Sequence, residues 1–124
     1  MAAVVSAPLD VLIVDDERDV VAMAELALTR LGKMRVVSAG SLAEARAALA
    51  ASRPNIILAD RGLPDGDGAL WLEELRAKPD FESVVLFLFS ANPKAGTSLP
   101  RLNKPFDPLT LAQELKDAWN SSQR

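Results

Sequence analysis

Cysteine and histidine are both missing from this 124-residue chain. Without cysteine, neither a disulfide framework nor a thiolate metal site can form. Without histidine, a Ser-His-Asp triad, a zinc-protease motif and an acceptor histidine are excluded. There is no basic excess either. Lys and Arg number 14 against 17 Asp and Glu, a formal net charge of −3, which argues against sequence-independent nucleic-acid binding because that depends on neutralising phosphates. No apolar run approaches the roughly 20 residues needed to cross a bilayer. The first residues, MAAVVSAPLD, lack the basic start and long apolar core of a secretory signal. Internal repeats, low-complexity tracts and linkers are absent as well. The composition, 49% hydrophobic and 25% charged, is that of an ordinary globular protein. It leads us to expect one domain over residues 1–124 with its core at about 9–119, in the cytoplasm and away from membranes.

Strand and helix patterns alternate along the chain. Leu9 to Val14, Asn55 to Ala59 and Val84 to Phe89 are runs rich in branched and aromatic residues, as expected of strands covered on both faces. Val84 to Phe89 is the most hydrophobic and is expected to be central. Met34 to Ser38 is a weaker strand, interrupted by Arg35. Val20, Val21, Ala24, Leu28 and Leu31 recur at helical spacing, and Gly32 stands at the expected C-cap. Ser41 with Glu44 forms a capping-box signature ahead of Leu42, Ala45, Ala48 and Leu49. A loop punctuated by Gly and Pro, Gly62 to Gly68, leads to a helix carrying Leu70, Trp71, Leu72 and Leu75. Asp107-Pro108 reads as an N-cap followed by Pro at the first helical position, opening a helix that runs to Trp119. Only thirteen residues separate Ser90 from Lys104, too few for a full helix and a strand. The fourth helix is therefore expected to shrink to a turn or a loop.

Several chemically capable residues fall directly after strand runs: Asp15-Asp16 after VLIV, Asp60 after NIILA, and Ser90 closing VVLFLFS. Lys104 closes the shorter stretch LPRLN. In a parallel sheet the carboxyl ends of neighbouring strands open on one crevice. Adjacent Asp15 and Asp16 suit a hard cation with oxygen ligands, such as Mg²⁺. Asp60 offers a further ligand and a carboxylate nucleophile toward phosphorus. Lys104 and the Ser90 hydroxyl are placed to meet phosphoryl oxygens. The Lys104-Pro105 bond is a candidate for the cis form. Taken singly, each residue has a plainer role. Paired acids favour a helix N-terminus, Asp60 before RGLPDGDG suits a turn, Ser90 suits a cap, and Lys104 suits a solvated charge. Glu17, Asp65, Asp67, Glu73 and Glu74 read as surface or capping acids, and Trp71 and Trp119 as packing residues. The conjunction of all the pieces at strand ends favours a site.

The segments VLIVDDE, ILADRGLPDGDG, FLFSA and LNKPF occur in that order. Together they resemble the receiver domain of two-component response regulators, from about Leu9 to Trp119. The resemblance implies an α/β, flavodoxin-like fold: a doubly wound, five-stranded parallel sheet of order 2-1-3-4-5, here with a reduced fourth helix. It implies that Asp60 accepts a phosphoryl group from a phosphohistidine on a histidine kinase or histidine phosphotransfer protein. It further implies Mg²⁺ on Asp16 and Asp60, with Asp15 acting through water and Gly62 through its backbone carbonyl. Ser90 and Lys104 would contact the phosphoryl group, and the surface near residues 91 to 106 would then change for a downstream protein target. Such a domain is a signalling device, not a turnover enzyme, and the expected partners include no nucleic acid.

Two departures stand out. Arg101 occupies a position that often carries Tyr or Phe in receivers, which puts the usual aromatic coupling in doubt, although Phe106 lies nearby. The reduced fourth helix removes part of the face on which many DNA-binding regulators dimerise. Alternatives are a pseudo-receiver that binds partners constitutively and a receiver excised from a hybrid histidine kinase; the start at Met1 and the polar tail favour a complete small protein. A haloacid-dehalogenase-type phosphatase requires an Asp-x-Asp spacing that Asp15-Asp16-Glu17 does not supply. A flavodoxin-like cofactor binder would need a Ser/Thr-rich phosphate loop after the first strand.

Overall fold

The computed structural model describes residues 8–90 and 98–123, with Ser90 described through its backbone. In chain order the elements are β1 (Asp10–Val14), α1 (Arg18–Arg30), β2 (Arg35–Ala39), α2 (Leu42–Ala51), β3 (Ile56–Ala59), β4 (Gly62–Leu63), β5 (Gly66–Asp67), α3 (Gly68–Arg76), β6 (Val85–Ser90), β7 (Arg101–Asn103) and α4 (Leu111–Ser122). Five strands form one parallel sheet in the order β2-β1-β3-β6-β7. Counting only the strands of that sheet, this is the expected 2-1-3-4-5 arrangement. The expected reduction of the fourth helix falls on residues 91–97, outside the described residues.

Side-chain alternation along the strands divides the core into two layers. Leu12, Val14, Ile57, Ala59, Leu86 and Leu88 pack with Leu42, Ala45, Leu72 and Leu75 of α2 and α3. Val11, Ile13, Ile56, Leu58, Phe87 and Phe89 pack with Ala24, Leu28, Leu111 and Leu115 of α1 and α4. Both faces are covered, which is why the strands read as continuous apolar runs. Each fully buried Leu or Ile contributes about 1.5–3 kcal/mol relative to an exposed one. Trp71 is buried in the first layer and Trp119 lies against the second, so both serve packing.

Some local expectations shift. β6 is an interior strand, but β3 is the middle one; hydrophobicity reports coverage on both faces and does not rank interior strands. α4 begins at Leu111 instead of Pro108. Asp107 closes a turn ahead of it, its Oδ1 accepting from Leu109 N at 2.8 Å and its carbonyl from Thr110 and Leu111 N. Leu31 is the C-cap of α1, and Gly32 follows it. A Cβ on Gly32 would stand 2.8 Å from Ala112 Cβ, so this glycine permits the close approach of α1 to α4. Positive φ falls instead on Lys33, at 56°. The Ser41 cap is present, with Oγ accepting from Glu44 N at 3.1 Å. The Lys104-Pro105 peptide is cis.

The segment after Asp60 is more ordered than a punctuated loop. Its strands β4 and β5 pair antiparallel, and three anchors fix them. The Asp65 carboxylate accepts from Leu42 N at 2.8 Å and Ala43 N at 3.0 Å, capping α2 from across the loop. Asp67 caps α3 by accepting from Ala69 N at 2.8 Å. Gly68 N donates to Arg61 O at 2.8 Å, and a Cβ on Gly68 would fall 1.8 Å from the Asp60 carbonyl oxygen. Only a residue without a side chain lets α3 start against that backbone.

Two outcomes follow from these anchors. Gly68→Ala must push the Asp60 backbone away from α3, at a cost of roughly 1–3 kcal/mol or more, read as a lowered denaturation midpoint. The backbone donors of Leu42 and Ala43 hold the Asp65 carboxyl below its ordinary value of 3.8. Its stabilising effect is therefore complete above the unfolded value and lost as pH falls through the folded one. Thermal melts of Asp65→Asn should show lower stability than wild type at pH 7 and a smaller difference near pH 3.

Candidate functional site

The ladders of the sheet deliver the site residues. Beyond the last residue of β1, Asp15 N donates to Ala39 O at 2.9 Å; beyond β3, Asp60 N donates to Val14 O at 2.8 Å. Both aspartates thus sit on rigid strand ends. Lys104 directly follows β7, and the backbone of Ser90 ends β6 in register with Asn103. One carboxylate oxygen from each of Asp15, Asp16 and Asp60 lies within 4.8 Å of the others. The expected residues Asp15, Asp16, Asp60 and Lys104 do converge on one edge. Gly62 starts β4 two residues after Asp60, exposed and with open space around its Cα. The Ser90 hydroxyl lies outside the described residues.

Burial differs sharply among the three acids. Asp15 is 3% exposed, Asp60 is partly buried and Asp16 is exposed. Asp15 Oδ1 accepts from Glu17 N at 2.9 Å. Its Oδ2 meets Lys104 Nζ at 2.5 Å and has no further partner among the described residues. The ammonium also reaches Glu17 Oε1 at 2.9 Å and Asp60 Oδ1 at 3.5 Å, and it lies 5.1 Å from the centre of the Phe89 ring. Phe106 packs against Phe89 at 5.6 Å between ring centres. Arg101 is exposed on β7.

The electrostatics follow from this geometry. Burial pushes the Asp60 carboxyl above its ordinary value of 3.8, Lys104 pulls it back, and the Asp15 charge adds to the rise. For Lys104, burial disfavours the ammonium, yet hydrogen bonds and charges from Asp15, Glu17 and Asp60 outweigh it, and the pKa stands above 10.5. Three carboxylates with one ammonium leave an excess of negative charge, and oxygen donors at this spacing fit a hard divalent cation.

Glu17 and Phe89 are the contributions that residue patterns left unassigned. Glu17 occupies the N-cap position of α1 but makes no side-chain cap; its carboxylate turns to Lys104 instead. Its place beside Asp15-Asp16 was the available signal. Phe89 reads only as core, and its second role depends on β7 lying next to β6.

A raised Asp60 pKa penalises the folded state once the carboxyl is ionised. The penalty is absent below the unfolded value and complete above the folded one. In metal-free buffer, Asp60→Asn should therefore melt higher than wild type at pH 7, and the gain should vanish below about pH 4.

Comparison with known proteins places this geometry. The family model for the response regulator receiver domain matches residues 11–116. The transcriptional regulatory protein DpiA of Escherichia coli is 42% identical over 88 residues, covering 70% of this chain and 38% of that protein. The KDP operon transcriptional regulatory protein KdpE of Escherichia coli is 33% identical over 98 residues, covering 79% of this chain and 42% of that protein. The chain thus spans about two fifths of these relatives. A putative response regulator from Chloroflexus aurantiacus superposes with a TM-score of 0.82 at 27% identity, over 92% of this chain and 99% of that one. Chemotaxis response regulator CheY4 of Vibrio cholerae shares the fold, with a TM-score of 0.79 at 24% identity over 90% and 99% of the two chains. No described helix is long and apolar enough to cross a membrane. A matched family model over most of the chain, on a sheet whose strand ends gather three aspartates and a lysine, shows that the chain belongs to the response regulator receiver domain family.

Proposed function

We propose that Asp60 accepts a phosphoryl group from a phosphohistidine on a histidine kinase or histidine phosphotransfer protein, and that this switches a surface bound by a downstream protein. The observation that carries this reading is the convergence of Asp15, Asp16, Asp60 and Lys104 at the carboxyl edge of the sheet. An Asp60 carboxylate oxygen forms the new bond to phosphorus while the bond from phosphorus to the donor imidazole nitrogen breaks, the electron pair leaving with the imidazole. Partial burial of Asp60 limits water at the acceptor, and Lys104 offers positive charge 3.5 Å from Oδ1. Asp16 and Asp60, Asp15 through water and the Gly62 carbonyl would hold Mg²⁺, which supplies charge against the phosphoryl oxygens. Lys104 and the Ser90 hydroxyl then hold the transferred group, and the bias on the β6–β7 side is the switch.

In this reading residues 1–124 form a single receiver domain acting in the cytoplasm as a signalling module without turnover of a separate substrate. DpiA and KdpE are named as transcriptional regulators, and most of their length lies beyond the match. For this chain, with its net charge of −3, the proposed partners are proteins, not nucleic acid.

Intact mass after incubation with acetyl phosphate, with and without Mg²⁺, tests the reading on wild type and Asp60→Asn. One phosphoryl group should appear on wild type only when Mg²⁺ is present, and none on the variant. Equal labelling of Asp60→Asn would remove Asp60 from the role of acceptor.

A further inference from the structure

Lys104 carries three N–H donors, and three carboxylates surround its nitrogen: Asp15 Oδ2 at 2.5 Å, Glu17 Oε1 at 2.9 Å and Asp60 Oδ1 at 3.5 Å. A phosphoryl group on Asp60 inherits the long Asp60 contact, and a closer hold on the ammonium comes at the expense of Asp15 or Glu17. These two are not equally displaceable. The Asp15 side chain is fully buried and would be left without a counter-charge, at a heavy desolvation cost. Glu17 is 58% exposed and can return to water at little cost. We infer that Glu17 is a latch on Lys104: it competes with the phosphoryl group for the ammonium and so sets how readily Asp60 is modified.

The local backbone supports a dedicated contact. Glu17 sits at the N-cap of α1, where Ser, Thr, Asn or Asp would normally accept from the first turn, yet its side chain makes no cap. Its backbone N–H holds Asp15 Oδ1 at 2.9 Å while its carboxylate holds the lysine that grips Asp15 Oδ2. Glu17, Asp15 and Lys104 thus close a ring in which only the exposed Glu17–Lys104 link opens cheaply. Glu17 is a positioning residue in this scheme, because it acts on the phosphoryl group through Lys104.

The inference rests on the phosphoacceptor reading, and Glu17→Gln tests it. The amide keeps the size of the side chain and the backbone N–H to Asp15 while removing the charge. At saturating Mg²⁺ and low ionic strength, the initial rate of phosphoryl incorporation from acetyl phosphate, read by intact mass, should rise by up to about fivefold, the upper end for an exposed ion pair. The ratio of variant to wild-type rate should shrink toward one as salt is added. Asp19→Asn, which removes an exposed charge on the first turn of α1 that no ion pair ties to Lys104, should leave the rate near wild type. Beryllofluoride should likewise bind more tightly to Glu17→Gln. Rates for Glu17→Gln equal to or slower than wild type would overturn the latch, as would the same acceleration in Asp19→Asn, which would mean a general field effect. Wild type that neither gains a phosphoryl group nor binds beryllofluoride would overturn the acceptor reading itself, and the latch with it.

Discussion

A buried carboxylate at the end of a parallel sheet is tolerable only with a partner, and here the partner is Lys104. Asp15 is almost fully enclosed, and among the described residues its Oδ2 is ion-paired to the lysine ammonium alone. Removing an ion from water costs several kcal/mol unless a counter-charge is supplied. The pairing of β6 with β7 supplies it, because Lys104 follows β7 and Asp15 follows β1, with β6 and β3 lying between them in the sheet. The strand at the edge of the sheet thus carries the counter-charge of Asp15, and the other site residues are arranged around that pair.

The apolar core gives that arrangement its precision. Asp15 and Asp60 extend the ladders of strands whose side chains are buried on both faces, so their backbones cannot drift without breaking sheet hydrogen bonds. On the other flank, the β4–β5 segment is tied to α2 by Asp65 and to α3 by Asp67. Gly68 lets α3 start in contact with the Asp60 carbonyl. Helix caps and site geometry share residues here, so a change in the loop after Asp60 reaches both.

The sheet and the acidic cluster were legible in the residues because each depends on local pattern. Continuous apolar runs marked strands covered twice, and acids directly after two of those runs marked the crevice. What stayed hidden depends on partners distant in sequence. Glu17 reads as a capping acid because its real neighbour, Lys104, is 87 residues away. Asp65 reads as a surface or capping acid, but the helix it caps, 23 residues earlier, was not legible from its local sequence. The start of α4 slipped because Asp107 and Pro108 equally suit a cap and a turn, and the Asp107 hydrogen bonds choose the turn. Arg101, where an aromatic was the common choice, leaves Phe106 against Phe89 as the described aromatic pair beside Lys104.

The balance of charge in this crevice explains why so many acids surround one lysine. Asp15, Asp16, Glu17 and Asp60 against Lys104 leave the edge negative, and the Asp15 charge adds to the rise that burial imposes on the Asp60 pKa. Such a site is ill suited to a bare phosphoryl anion and well suited to a divalent cation. In the proposed function, a held cation would cancel that excess and make room for the phosphoryl anion. Lys104 steadies the buried Asp15, and in the proposed reaction it would also turn to the phosphoryl oxygens. Glu17, the exposed member of its three contacts, is the one whose release costs least, and the readiness of that exchange rests with it.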